Sequence, residues 1–185
     1  MSRWEPGARG RMVAAAMDLF AEHGFEQTTA VDIAERAGVT ERTFFRHFTD
    51  KREVVFSEDE ALQQAMSDAI LTAPTGLSPL DAALTGVVAA GGLLADRRDR
   101  AVRRSRIVAA HPSLRERELL KFAAMVDTMA GALHVRGVAE PTAGLAAHSA
   151  VTVFRVACAR WVSAEEPPGL LARIAEAGEA LRALT

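Results

Sequence analysis

An all-helical fold is predicted by three features of the sequence. Alanine, leucine, glutamate and arginine dominate the 185 residues, and β-branched residues are sparse outside valine. Apolar residues recur at helical spacing, as at Val13, Ala16, Met17 and Phe20. Glycine, proline and capping residues divide the chain into about nine segments, none with the alternation of a strand. Half of the chain, 49%, is hydrophobic, enough to bury a core.

The segments follow in order. The first runs from near Pro6 to His23 and ends at Gly24. Thr29 and Asp32 have the spacing of a capping box and open the second, which Gly38 closes. Thr40 caps the third, reaching about Phe48. The fourth is expected from Asp50 to about Thr72 as one helix, with Glu53 at its third position. After the break Ala73-Pro74-Thr75-Gly76, Ser78-Pro79-Leu80-Asp81 opens the fifth, which runs to Leu94. Its Gly91-Gly92 pair marks a bend or a close helix contact. An arginine-rich helix covers Arg97 to Ala110. Ser113 with Glu116 starts the next, which stops at Gly137. Pro141 starts the eighth, ending near Ser163, and Pro167-Pro168 the ninth.

Two short helices separated by Ala37-Gly38-Val39-Thr40 have the helix-turn-helix arrangement. The second helix of that motif enters the major groove, and its early residues meet base edges. Phe44 and Phe48, four apart, point to the core beside Ile33, Ala34 and Val39. Arg42, Thr43, Phe45, Arg46 and His47 are left on other faces. Arginine pairs with guanine, and threonine or phenylalanine touches a thymine methyl. His47 and Lys51 are expected to reach phosphates. The net charge is −2 and the pI about 6.2, so DNA binding must rest on a local surface. Between Thr40 and Arg52, Arg42, Arg46, Lys51 and Arg52 outnumber Glu41 and Asp50. Arg3, Arg9 and Arg11 suggest a basic tail along the DNA backbone or simply a solvated one.

The stretch from Ala14 to Glu53 resembles the TetR family of bacterial regulators. The residues that carry the resemblance are Ala14-Ala15-Ala16-Met17-Asp18-Leu19-Phe20-Ala21-Glu22-His23-Gly24-Phe25, Thr28 through Val39, and Thr43-Phe44-Phe45-Arg46-His47-Phe48-Thr49-Asp50-Lys51-Arg52-Glu53. The resemblance implies DNA binding by the first three helices, a ligand cavity among later helices, and a dimer interface built by the last two. It places Thr29, Arg42, Thr43, Phe45, His47 and Lys51 at positions that commonly touch DNA. Tyrosine often stands where this chain has Phe45, which has no hydroxyl to offer a phosphate. The division expected is a helix-turn-helix domain over residues 1–50 and a ligand-sensing and dimerisation domain over 51–185.

Other clusters read more plainly. The run Arg97 to Arg106 has the look of a second nucleic-acid or anion patch, but the preferred reading is a solvated helix face paired with acids such as Glu116 and Glu118. His23, His47, His111, His134 and His148 never share a helix at ligand spacing, so no metal site is expected. Cys158 is the only cysteine, which excludes an intrachain disulfide and suits a reducing cytoplasm. No signal-like segment is visible at the N-terminus, and the least polar stretch, Ala82 to Ala95, is too short to span a bilayer. A soluble cytoplasmic protein is expected, with no membrane partner. No nucleophile elbow, phosphate-cradling loop or paired-carboxylate motif points to an enzyme or a cofactor.

The body carries Met66, Ile70, Val88, Phe122, Met125, Met129 and Phe154, which suit a largely apolar small-molecule effector. His148 and Arg155 offer polar contacts to it. A homodimer is expected through the eighth and ninth helices, using Val151, Phe154, Cys158, Val162, Leu170, Leu171, Ile174 and Leu181. It would read a palindromic operator in double-stranded DNA, and a ligand would release it by shifting the fourth helix. The leading function is thus a ligand-released repressor. A ligand-independent DNA-binding regulator stands second, and a helical small-molecule binding module or enzyme third.

Overall fold

The structure is a computed structural model that describes residues 7–165 and 168–184. The described residues form ten helices: α1 Ala8–His23, α2 Ala30–Arg36, α3 Glu41–His47, α4 Lys51–Val55, α5 Asp59–Thr72, α6 Pro79–Leu94, α7 Arg98–Ala110, α8 Pro112–Val135, α9 Thr142–Ser163 and α10 Leu170–Arg182. Arg3 and Pro167 lie outside the described residues.

The long fourth segment expected from the sequence is two helices. Phe56 departs from helical geometry at φ −108°, ψ 22°. Val54, Val55 and Phe56 bury themselves with α1 to α3, whereas Leu62, Met66 and Ile70 enter a second core. The break falls where the chain passes from one core to the other.

The first compact unit takes in the chain through Ser57 together with Arg103–Glu118. Its core joins Met12, Ala16 and Phe20 of α1 to Ile33, Phe44, Phe48 and Val54, with Val108 and Leu114 from α7 and α8. Phe44 and Ile33 are fully buried, each worth about 1.5–3 kcal/mol of transfer free energy. Local chemistry sets the short helices. Thr29 Oγ accepts from the Asp32 amide at 3.1 Å while the Asp32 carboxylate accepts from the Thr29 amide at 2.7 Å, closing the capping box. These bonds hold the Asp32 carboxyl below its ordinary value, the Thr29 amide contributing most. Gly38 ends α2 at φ +65°. Its amide donates to the Glu35 carbonyl and the Val39 amide to the Ala34 carbonyl, a Schellman closure that needs a left-handed residue there.

The second unit holds Glu58–Val102 and the chain from Leu119 onward. Its core is built from α5, α6, α9 and α10, with Met125, Met129 and Leu133 of α8. Ser78 caps α6 through the Asp81 amide, and Pro79 takes its first turn. Arg136 closes α5 by donating to the carbonyls of Ile70, Ala73 and Pro74 at 3.1, 2.6 and 2.8 Å. Gly91 is a close contact: a Cβ there would lie 2.4 Å from Ile174 Cδ1 of α10. Gly92 meets open space. By length and composition α9 could cross a membrane, yet its Ala143, Ala147, Ala150 and Phe154 fill this core.

Candidate nucleic-acid interface

The core requirement of α3 decides what it shows to solvent. Phe44 is buried and packs on Phe48 with ring centroids 5.5 Å apart. One position round the helix, Phe45 is 50% exposed, edge-on to Phe44. Arg42, Arg46 and His47 are exposed with it, and Thr43 is half-buried, its hydroxyl 3.0 Å from that of the cap residue Thr40. Two arginines, an imidazole and an uncompensated aromatic ring therefore share the outer surface of a seven-residue helix. That surface can offer bidentate donors to guanine and an apolar edge to thymine. Thr29 is exposed at the start of α2, its hydroxyl engaged by Asp32 at 2.8 Å.

Lys51 has a different setting from the one expected. Its ammonium donates to the carbonyls of Phe25, Glu26 and Thr28 at 2.7, 3.2 and 2.9 Å and lies 4.5 Å from the Phe25 ring centroid. An ammonium has three donors, so all are engaged inside the protein, on the turn that leads into α2. Arg9 and Arg11 likewise belong to α1 rather than to a tail. Arg9 donates to the Ser57 carbonyl at 2.8 Å, and Arg11 to that of Ala37 at 3.1 Å.

Asp50 caps α4, accepting from the amides of Arg52 and Glu53 at 2.7 and 3.2 Å. Burial pushes its carboxyl upward, but the Arg52 guanidinium and these amides together hold it below the ordinary aspartate value.

Four of the six arginines between Arg97 and Arg106 form ion pairs. Arg97 and Arg100 meet Glu58 at 2.6 and 3.0 Å, Arg103 meets Asp18 at 3.4 Å, and Arg104 meets Glu118 at 2.8 Å. Arg98 binds the carbonyls of Trp161 and Ala164. Among the described residues no three histidine, cysteine or acidic side chains gather as a metal site.

In the body, Met66, Ile70, Met125, Met129 and Phe154 share one core, and Phe122 packs at its edge beneath the Arg155 guanidinium, 4.9 Å away. Val88 is 49% exposed and His148 is also on the surface, so neither joins that set. Thr128 donates to the Gln63 side chain at 3.0 Å, a polar pair beside it that the sequence reading missed. Of the residues expected at a dimer interface, Val151, Phe154, Leu170 and Ile174 are buried within the protomer. The large apolar side chains that α9 and α10 leave exposed are Leu145, Val156 and Leu171. The sequence also missed His111, Arg104 and Arg117 as parts of the head, because their partners are far away along the chain.

Residues 12–57 match the family model for bacterial regulatory proteins of the tetR family. The HTH-type transcriptional regulator TcmR of Streptomyces glaucescens is 40% identical over 74 residues, covering 40% of this chain and 33% of that protein. The chain thus spans about a third of the length of that curated relative. The structure of SmeT in complex with triclosan superposes with a TM-score of 0.66 at 20% identity, covering 96% of this chain and 90% of SmeT. FadR of Thermus thermophilus, a TetR-family repressor solved with lauroyl-CoA, gives 0.58 at 23% identity, covering 94% of this chain and 93% of FadR. At these identities the two structures show the shared all-helical fold. Residues 12–57 are thus similar to the tetR family of bacterial regulatory proteins, and the chain as a whole shares the all-helical fold of these solved structures.

Proposed function

We propose that the protein is a sequence-specific DNA-binding transcriptional regulator. It acts as a cytoplasmic homodimer that represses from a palindromic operator and is released by a small, largely apolar ligand. The single observation that carries the DNA part is the outer face of α3, where Arg42, Phe45, Arg46 and His47 stand exposed around the buried Phe44. Thr29 and Thr43 are assigned to phosphate and base contacts at the edges of that face. Lys51 supports the surface from within, its ammonium held by the carbonyls of Phe25, Glu26 and Thr28.

Met66, Ile70, Met125, Met129 and Phe154 form a methionine-rich core that can repack round a guest. Two proteins of the same fold were solved with triclosan, which is largely apolar, and with lauroyl-CoA, which carries a twelve-carbon apolar chain on a charged coenzyme A. A ligand releases DNA only by binding the non-reading state more tightly than the reading one.

Selection of random duplexes by the purified protein, followed by fluorescence polarisation over a salt series, tests the reading. Site-dependent binding with two protomers per duplex is the expected result. Enrichment of no sequence rejects it. Triclosan and lauroyl-CoA, titrated onto the complex, are the first ligand probes. No change in affinity with these or a wider apolar set returns the protein to ligand-independent regulation.

A further inference from the structure

α4 is five residues long and cannot hold its own orientation. At its first residue, Lys51 grips the turn before α2, and only Phe48, Thr49 and Asp50 separate it from α3. Any rotation of α4 therefore moves the surface that carries Arg42 and Arg46. What holds the other end of α4 comes from 49 to 64 residues away in the chain.

Two arginines do this, both from the α7–α8 corner that belongs to the same compact unit. Arg117 of α8 donates from Nε to Glu53 Oε1 at 2.6 Å, with a second guanidinium nitrogen against the same oxygen. Arg104 of α7 donates to the Val55 carbonyl at 3.2 Å and to Glu118 at 2.8 Å, and lies 4.8 Å from the Phe56 ring centroid. The Val55 carbonyl is one of the terminal acceptors that so short a helix leaves open. These side chains are partly buried, unlike the exposed pairs elsewhere on the molecule, and a forked guanidinium fixes direction as well as distance. Between the two arginines in sequence, the His111 ring packs tilted against Phe25, centroids 5.1 Å apart, and Phe25 is the ring beneath Lys51. The corner thus meets α4 at its end and the Lys51 anchor at its start.

We infer that Arg104 and Arg117 are positioning residues for DNA reading: they clamp α4 and thereby set the angle at which α3 is presented. The clamp rests on the proposal that α3 reads DNA, and it assigns the α7–α8 corner a part in presenting the reading surface. Neither arginine needs to touch DNA.

The test compares wild type, Arg117→Gln, Arg104→Gln and the swapped pair Glu53→Arg with Arg117→Glu. The probes are a duplex enriched by wild type from random sequence and its scrambled version. The clamp predicts that each single variant stays folded by circular dichroism and loses about ten-fold of its preference for the enriched duplex, the scale of one base contact. Binding to the scrambled duplex and the salt slope stay as in wild type, and the swapped pair regains part of the preference. An unchanged preference in folded Arg117→Gln and Arg104→Gln overturns the clamp, whatever happens to their melting temperatures, and leaves DNA reading intact. Equal losses on both duplexes, unrepaired by the swap, also overturn it. If wild type enriches no sequence, the DNA-reading proposal fails first and the clamp with it.

Discussion

Arg42 and Lys51 are both basic residues of the recognition region, yet their surroundings predict opposite behaviour. Arg42 is exposed on the first turn of α3. Replacing it with alanine should leave stability within about 0.5 kcal/mol and weaken preference for the selected site by about 1–3 kcal/mol. A loss that is equal on scrambled DNA contradicts base reading. Lys51→Met removes three charge-assisted bonds to carbonyls and should cost about 2–3 kcal/mol of stability in thermal unfolding. Because its donors are engaged internally, the slope of log affinity against log salt should remain that of wild type. A drop of about one unit would make Lys51 a phosphate contact after all. Asp50 adds a dependence on pH. Its carboxyl is lower in the folded state than in the unfolded chain, so its contribution is fully present above the ordinary aspartate value, about 3.9. It is lost as pH falls through the lowered value. Asp50→Asn keeps a capping oxygen and should flatten the acid limb of the melting-temperature profile. An identical acid limb in the variant removes Asp50 from it.

At the scale of elements, the boundaries most legible in sequence were those set by a local bond. Thr29 with Asp32, Thr40, and Ser78 with Pro79 each announce a helix start within four residues, and all three caps are present. The break between α4 and α5 was not legible, because Val54 to Met66 keeps an apolar pattern while its residues enter different cores. Nothing in a single helix states which core a residue will join. Close packing is a similar case: Gly91 and Gly92 are adjacent and look alike, and only the neighbouring helix distinguishes them. Gly92→Ala meets no atom within 4 Å and should stabilise α6 by about 0.5–1 kcal/mol. Gly86→Ala places its Cβ 2.9 Å from the Met66 carbonyl oxygen, a backbone atom that cannot turn aside. It should destabilise by about 1–3 kcal/mol. Gly91→Ala meets the end of the Ile174 side chain and should fall between the two. Denaturant unfolding of the three variants checks the order, and a Gly86→Ala protein as stable as Gly92→Ala would deny the close approach of α5 and α6.

For the whole molecule, the helix-turn-helix segment was legible from about forty contiguous residues because its exposed face and most of its core are local, Val108 and Leu114 being the exceptions. The α7–α8 corner was not, since Glu53 meets Arg117 and Asp18 meets Arg103 across long stretches of chain. The dimer face shows the same limit. Apolar periodicity in α9 and α10 identifies Val151, Phe154, Leu170 and Ile174, but these satisfy the protomer's own core. The candidates left for a partner are those the core does not consume. On α9, Leu145 is 65% exposed and Val156 44%, eleven residues or about three turns apart and so on one stripe. Leu171 of α10 is exposed as well. If the protein pairs through this stripe, an acidic side chain there faces either apolar surface or its own copy across a two-fold axis, both unfavourable. Val156→Glu, combined with Leu145→Glu, should therefore sediment as a monomer at micromolar concentration while keeping the helical content of wild type. A monomer engages one half-site at a time. Its affinity for a palindromic duplex should fall by about 10²–10⁴-fold, since the second half-site no longer binds at high effective concentration. Its affinity for an isolated half-site should not change. A variant that remains dimeric and binds the full site normally would move the interface off α9, and a monomeric variant with full affinity would show that this protein reads its site one protomer at a time.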